Sequence, residues 1–286
     1  MDELLLSQKT KQSISALVAD PAQSLLVVGQ LGSGRTTVAK AIVAELLKKP
    51  ISQLEGYAYL TIVSPDGQSV KIEQVQKIKS LLKLKTPPSE HKLRRFIIVE
   101  SANLMTRDAQ NAALKFIEEP PLDTIIMLIV EHERDVLATI QSRCAVLRIS
   151  NPMEQEAMDY ASKHGLGKSQ TALSQYQLSG GRAGLFLALL KNSDHPLVQA
   201  MDRAKRLLRA STGKRLITVD ELAKDKQLTA HVLFALDRIA QVGLTHAKPE
   251  QIKRWHKILS ALEAADTQLA ANTNTKLVLT NLVLSL

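Results

Sequence analysis

The sequence predicts a doubly wound α/β domain on a parallel sheet, followed by two smaller domains that are helical throughout. Three observations carry this. Short apolar, β-branched runs alternate with helical patterns through the first half of the chain; most of those runs are apolar at every position; and strand signals stop after Asn151-Pro152. A strand that is apolar at every position buries both of its faces, which is the condition of a parallel sheet covered by helices on each side. Strands alternating with helices are the pattern of a doubly wound sheet.

Taken in order, strands are expected at Leu25–Val28, Tyr59–Val63, Phe96–Val99, Ile125–Val130 and Val146–Ile149, with helices over Thr36–Lys48, Glu73–Leu84 and Arg107–Ile117 between them. Helical patterns then cover Met153–His164, Ser169–Leu178 and Ala183–Lys191, and longer amphipathic segments reach Leu286. Asn151-Pro152 initiates a turn, and a second break lies at Asn192–Pro196. The expected domains are therefore residues 1–151, 152–194 and 195–286.

Composition narrows the function classes. Of 286 residues 45% are hydrophobic and 23% charged, which excludes wholesale disorder. No run of eighteen apolar residues occurs, and Leu4-Leu5-Leu6 after Met1-Asp2-Glu3 is too short for a signal peptide, so no membrane contact and a cytoplasmic location are expected. The single cysteine, Cys144, excludes an internal disulfide framework and a zinc site of clustered thiolates. The formal charge is +9, and six of those nine excess charges fall from Lys191 onward. Such a balance suits a polyanionic partner and equally suits a generally basic surface. Aromatic residues at 3% argue against base stacking as a main contact.

The first strand runs straight into Gly29-Gln30-Leu31-Gly32-Ser33-Gly34-Arg35-Thr36, a phosphate-binding P-loop with arginine where lysine is expected. Glycines let backbone N–H groups of Gly29, Gly32, Ser33 and Gly34 curl around a phosphate, and the helix N-terminus at Thr36 and Thr37 adds a favourable dipole. The Arg35 guanidinium is planar and bulkier than an ammonium, so it would not occupy the lysine's place. Thr36 keeps the hydroxyl that ordinarily ligates Mg²⁺. At the end of the third strand stands Glu100-Ser101, where a hydrolytic P-loop enzyme places one acid for the metal and a second for the attacking water. Glu100 suits the first role with one extra methylene, but Ser101 is no general base at neutral pH. Two departures at two chemical roles predict no hydrolysis at this site. Binding of ATP or ADP without turnover stays open; no cofactor is required and no metal centre is expected.

Glu100–Thr106, Ala109–Lys115, Glu118-Glu119-Pro120-Pro121 and Leu137–Cys144, which ends in Ser142-Arg143-Cys144, together resemble the AAA+ subunits of DNA polymerase clamp loaders. Ile72–Ile78 is similar to the helix after the second strand in that family, and Asn272–Leu279 to the last helix of its collar domain. From His195 to Ala270 the likeness is one of helical character alone. Within the family the match is to the bacterial delta-prime branch. The gamma/tau branch has an intact lysine loop, an Asp-Glu pair and a zinc-binding cysteine cluster, against Arg35, Glu100-Ser101 and Cys144 alone here. A zinc module is common in the delta-prime branch too, and its place between Lys48 and Tyr59 is short in this chain. The delta branch generally lacks the Ser-Arg-Cys signature.

The resemblance implies an AAA+ P-loop domain, a small helical lid and a C-terminal helical collar. It implies a subunit of the DNA polymerase III clamp loader that acts as a non-hydrolysing stator while the sliding clamp is loaded on primed DNA. Arg143 would be its arginine finger, acting in trans on the ATP site of a neighbouring gamma/tau subunit, since a permanent charge with forked donors suits a γ-phosphate. The implied partners are the gamma/tau and delta subunits, the sliding clamp and primer–template DNA, within the replisome at the nucleoid. Read without the resemblance, Ser142-Arg143 is an ordinary helix end and Cys144 a packed thiol. Arg182 matches the sensor-2 arginine, which faces the phosphates of its own chain's nucleotide; with a degenerate site it would equally bridge the first two domains. Glu131 and His132 stand at the sensor-1 position, where an acid repels a γ-phosphate. Thr106 and Arg107 begin a helix whose N-terminus would meet a DNA phosphate, or Thr106 is a plain N-cap. In the basic C-terminal third, Arg203, Lys205, Arg206, Arg209, Lys253, Arg254 and Lys257 read as solvated faces of a collar that packs on sister subunits. Two other functions fit the motifs: an active gamma/tau-like ATPase working through Arg35, and a stand-alone AAA+ repair or recombination protein.

Overall fold

The computed structural model describes residues 4–67, 69–84, 86, 92–271 and 273–286. Contacts divide the chain into two units, Met1–Glu156 and Ala157–Leu286. The first unit carries α1 (Gln8–Ala19), β1 (Ser24–Val28), α2 (Arg35–Leu47), β2 (Leu60–Val63), α3 (Ile72–Leu82), β3 (Arg95–Val99), α4 (Arg107–Glu118), β4 (Thr124–Val130), α5 (Ala138–Gln141) and β5 (Ala145–Arg148). Its five strands form one parallel sheet in the order β2-β3-β4-β1-β5.

Apolarity at every position has the expected cause. β3 and β4 are buried along their whole length and β1 all but its last residue, while the edge strands β2 and β5 are largely half-buried or exposed. Successive side chains point to opposite faces of a strand. Leu25, Val27, Phe96, Ile98, Ile125, Met127 and Ile129 accordingly pack with α1 and α2 on one face. Leu26, Ile97, Val99, Ile126, Leu128 and Val130 pack with α3, α4 and α5 on the other. The sheet is thus covered on both faces.

Helix α1 has no counterpart in the sequence expectation. Its apolar stripe is short: Ile14 is buried in the core and Leu17 and Val18 pack against it, a single turn of a twelve-residue helix. Polar contacts add to that hold. Ser7 Oγ accepts from the Thr10 N–H at 3.2 Å, and Thr10 Oγ1 accepts from the Ser150 N–H at 3.0 Å.

The expected division after residue 151 and the observed one after Glu156 differ for a visible reason. Pro152 is buried, and the Glu156 carboxylate accepts from the N–H groups of Gln8 (3.1 Å) and Met153 (2.7 Å), so the first turn of α6 (Glu154–Lys163) belongs to the first unit. The expected break at residues 192–196 lies inside the second unit, which holds α7 (Ser169–Ser179), α8 (Ala183–Leu190), α9 (Pro196–Arg209), α10 (Thr212–Lys224), α11 (Lys226–Thr245), α12 (Pro249–Ala270) and α13 (Thr275–Ser285). Arg238 of α11 donates to the carbonyls of Gln177 (2.9 Å) and Leu178 (3.3 Å) at the end of α7, joining helices on either side of that expected break. Among the described residues no helix is long and apolar enough to cross a membrane, and no group of three or more His, Cys, Asp or Glu is placed to hold a metal.

Close packing in the second unit gives a sharp expectation. A Cβ on Gly243 would stand 2.6 Å from Cε2 and Cζ2 of Trp255, whereas one on Gly213 would meet nothing within 4 Å. Alanine ordinarily stabilises a helix over glycine by about 1 kcal/mol. Gly213→Ala should therefore gain a few tenths to about 1 kcal/mol, while in Gly243→Ala the collision reverses the sign to a loss of about 1–3 kcal/mol. Urea unfolding of the two variants measures both signs.

Candidate functional site

In a parallel sheet every strand presents its C-terminal end on one edge, and a site forms where loops leave that edge. Gly29 follows β1, Glu100 follows β3 and Glu131 follows β4. Val28 pairs with Val130 across β1 and β4, so register alone brings Gly29 beside Glu131.

The P-loop has the backbone its glycines require. Gly34 sits at φ 87° and Gly32 at φ 85°, both in the left-handed region, and Gly34 is the N-cap of α2 with no side-chain bond to the cap. The first N–H groups of α2, from Arg35 through the half-buried Thr36 to the exposed Thr37, thus keep the character of an anion cradle. Gly29 is buried, and a Cβ there would stand 2.7 Å from Ser33 Oγ and 3.2 Å from both Arg35 Cγ and Ile149 Cβ. The Ser33 hydroxyl is buried without a hydrogen-bond partner among the described residues.

The side chains tell a different story. Arg35 does not extend along the loop as a lysine would. Its Nη1 donates to the Gly29 carbonyl at 2.9 Å and its Nη2 lies 3.5 Å from Glu131 Oε1. The Arg35 side chain is only 12% exposed, and burial pulls its guanidinium below the ordinary range against the raising charge and hydrogen bond of Glu131. The residue at the lysine position and the residue at the sensor-1 position are therefore partners. Glu100 Oε2 accepts from Ser64 Oγ at 2.6 Å, and Ser101 holds φ 50°, a left-handed conformation that costs a side chain of order 1 kcal/mol. The backbone fits a phosphate; these side chains do not fit a metal–triphosphate, because the cation is already paired and a carboxylate stands at the mouth.

Arg143 lies away from this arrangement, just past α5. Its Nε is 3.1 Å from Glu118 Oε2, and its Nη1 donates to the Thr139 carbonyl at 3.0 Å. The side chain is 35% exposed and its partner 54%, so the guanidinium rests on the surface. Cys144 beside it is half-buried, and burial pushes its thiol up to about 11, which makes it unreactive near neutral pH.

Thr106 Oγ1 accepts from the Ala109 N–H at 3.2 Å, so it serves as the N-cap of α4, with Arg107 exposed in the first turn. Arg182 belongs to the second unit. Its guanidinium carbon lies 4.8 Å from the Phe234 ring centroid, and Nη1 donates to the Ser179 carbonyl at 3.3 Å.

Motif reading did not find the partners: Glu131 for Arg35, Glu118 for Arg143 and Phe234 for Arg182. The first had a signal. A cation with altered shape and an acid in place of a hydroxyl or amide, at two positions of one site, are complementary substitutions.

A family model described as DNA polymerase III, delta subunit, matches residues 7–153, just over half of the chain. The chain belongs to that DNA polymerase III family. Within it, the DNA polymerase III subunit delta' of Bacillus subtilis is 39% identical over 100 residues, which are 35% of this chain and 29% of that protein. The delta' subunit of Escherichia coli is 35% identical over 96 residues, 34% of this chain and 29% of that protein. The chain thus matches about a third of the length of these curated relatives. A Thermotoga maritima structure described as DNA polymerase III, gamma subunit-related, aligns with a TM-score of 0.58 over 97% of this chain and 98% of its own, at 22% identity. That likeness is one of fold: the parallel sheet first and helices after it. The family's match ends at residue 153, so it covers the P-loop, Glu100, Glu131 and Arg143, and stops short of Arg182.

Proposed function

We propose that this chain is a delta-prime-like subunit of a DNA polymerase III clamp loader that does not hydrolyse ATP itself and supplies Arg143 to a neighbouring gamma/tau subunit's ATP site. The observation that carries the reading is the Arg35–Glu131 pair. It engages the one side-chain cation of the P-loop with a carboxylate and the Gly29 carbonyl. A hydrolytic site of this layout also needs a second acid after β3, where Ser101 stands. Family membership supports the assembly, and the surface position of Arg143 supports a role outside the chain. Gamma/tau, delta, the sliding clamp and primer–template DNA are the proposed partners, with Arg107 and the α4 N-terminus the proposed DNA contact and the replisome in the cytoplasm the proposed place. Nucleotide at the P-loop, held by backbone N–H groups alone, would be bound without turnover.

The test is turnover by the purified full chain. A competent enzyme turns over at ~1 s⁻¹ or faster. This chain should release no phosphate above background, alone or with primed DNA, and should enter a complex with gamma/tau and delta on gel filtration. Brisk turnover by the chain alone, or failure to enter the complex, sinks the proposal.

A further inference from the structure

We propose that the second unit carries a sequence-independent binding surface for the phosphate backbone of duplex DNA, at the corner where the end of α9, the start of α10 and the first half of α12 meet. The surface is separate from the P-loop and from Arg143 and does not rest on the function proposed for them.

The sequence supplies the charge in two stretches. From Arg203 to Arg215 there are six cations and no carboxylate, and from Lys248 to Lys257 four cations and one carboxylate, Glu250. The fold brings the two together. Arg254 Nη2 lies 3.4 Å from the Leu208 carbonyl, and Arg215 donates from Nε to the Leu207 carbonyl at 2.9 Å and from Nη2 to Leu208 at 3.3 Å. Two arginines thus close the C-terminal end of α9, which their charge suits.

A helix end accounts for those two and no more. Arg203 is paired with Glu221 at 2.6 Å and Lys205 with Asp202 at 3.6 Å. Arg206, Arg209, Lys214, Lys253 and Lys257 are exposed, and among the described residues none of them has a carboxylate within ion-pair distance. Like charges gathered on neighbouring segments repel one another, and an anion relieves that repulsion. Arg206 and Lys214 line the same groove between α9 and α10, a cavity of about 380 Å³. Lys253 and Lys257, one turn apart on α12, share one face of the helix, with Cβ atoms about 5–6 Å apart.

Charge favours a phosphate backbone: the two stretches carry ten cations against one carboxylate, and a run of phosphates can meet several of them at once. Leu207 and Leu208 are buried and Trp255 packs against Gly243, while Leu216 and Ile217 of α10 and Ile252 of α12 are exposed, so an acidic protein is the alternative that the test separates. With no free aromatic to stack on bases, duplex DNA suits the surface better than a single strand.

The test uses the full chain, a fluorescein-labelled 20-base-pair duplex of arbitrary sequence, and fluorescence anisotropy at several salt concentrations. Arg209→Ala/Lys253→Ala/Lys257→Ala should weaken binding about tenfold or more and lower the slope of log K against log salt by about 2–3, near 0.9 for each lost phosphate contact. Lys77→Ala/Lys79→Ala/Lys83→Ala on the exposed face of α3 should change neither quantity. All six residues are exposed, and equal melting temperatures check that both variants fold. Three results overturn the proposal: no effect of the first triple variant, an equal effect of the α3 variant, or displacement of the duplex by polyglutamate as effective as by unlabelled duplex at equal charge. The last outcome would assign the corner to an acidic protein. None of them bears on Arg143.

Discussion

Replacing Arg143 by alanine should slow DNA-stimulated ATP turnover of the assembled complex by ~10³-fold or more, with the chain itself still folded and assembled. A guanidinium placed against developing charge in trans contributes ~10³–10⁵ in rate, which is about 4–7 kcal/mol of barrier. Against that, the resting contact of Arg143 is cheap to break. Its partner Glu118 is 54% exposed, and ion pairs on a surface are worth about 0–1 kcal/mol. On the proposed role, giving up the Glu118 contact therefore costs little beside the rate that the guanidinium would contribute. Arg143→Lys keeps the charge and loses the fork of donors, so it should fall between wild type and alanine. The measurement is phosphate release by the reconstituted complex at saturating primed DNA, beside gel filtration to show that each variant assembles. Undiminished rates for the alanine variant would remove the finger from the mechanism.

The parallel sheet was legible because burial on both faces leaves a mark in composition: β1, β3 and β4 are apolar at nearly every position and enclosed at nearly every position. Its P-loop was legible because left-handed backbone at Gly32 and Gly34 demands glycine. Helix α1 was not, since its apolar stripe is only Ile14, Leu17 and Val18 and the rest of its hold comes from hydroxyls and a carboxylate. The division of the chain was legible only in part. Amphipathic periodicity says that α7 and α11 each have a face to bury, but not that Arg238 joins them. The Arg35–Glu131 pair shows the same limit at the site. Each residue taken by itself reads as a lost function, and only the pairing of Val28 with Val130 brings the two losses together as one interaction. Spacing along the chain finds motifs; register across the sheet finds their partners.

The second large effect belongs to the core and tests the sheet itself. Phe96 is fully buried in β3, paired in register with Leu60 of β2 and Ile125 of β4, with its ring 6.5 Å from that of Tyr57. Phe96→Ala removes the ring from the layer under α1 and α2 and leaves a cavity that neighbouring strands, tied by their ladders, cannot fill. The expected loss is about 3–5 kcal/mol, against about 5–15 kcal/mol for a whole domain. At about 2–4 °C per kcal/mol for a unit of this size, the transition of the first unit should fall by roughly 6–20 °C. Phe96→Leu keeps most of the volume and should lose no more than about 1–2 kcal/mol. Calorimetry reads both, and the contrast with Arg143 is the informative part. Arg143→Ala should leave the melting curve where it is and abolish stimulation. Phe96→Ala should shift the curve and reduce stimulation only in proportion to the unfolded fraction, because Phe96 stands near the start of β3, at the end of the sheet opposite Gly29, Glu100 and Glu131. If Phe96→Ala instead slowed turnover at temperatures where the unit is fully folded, the sheet would be doing more than holding Arg143 in place.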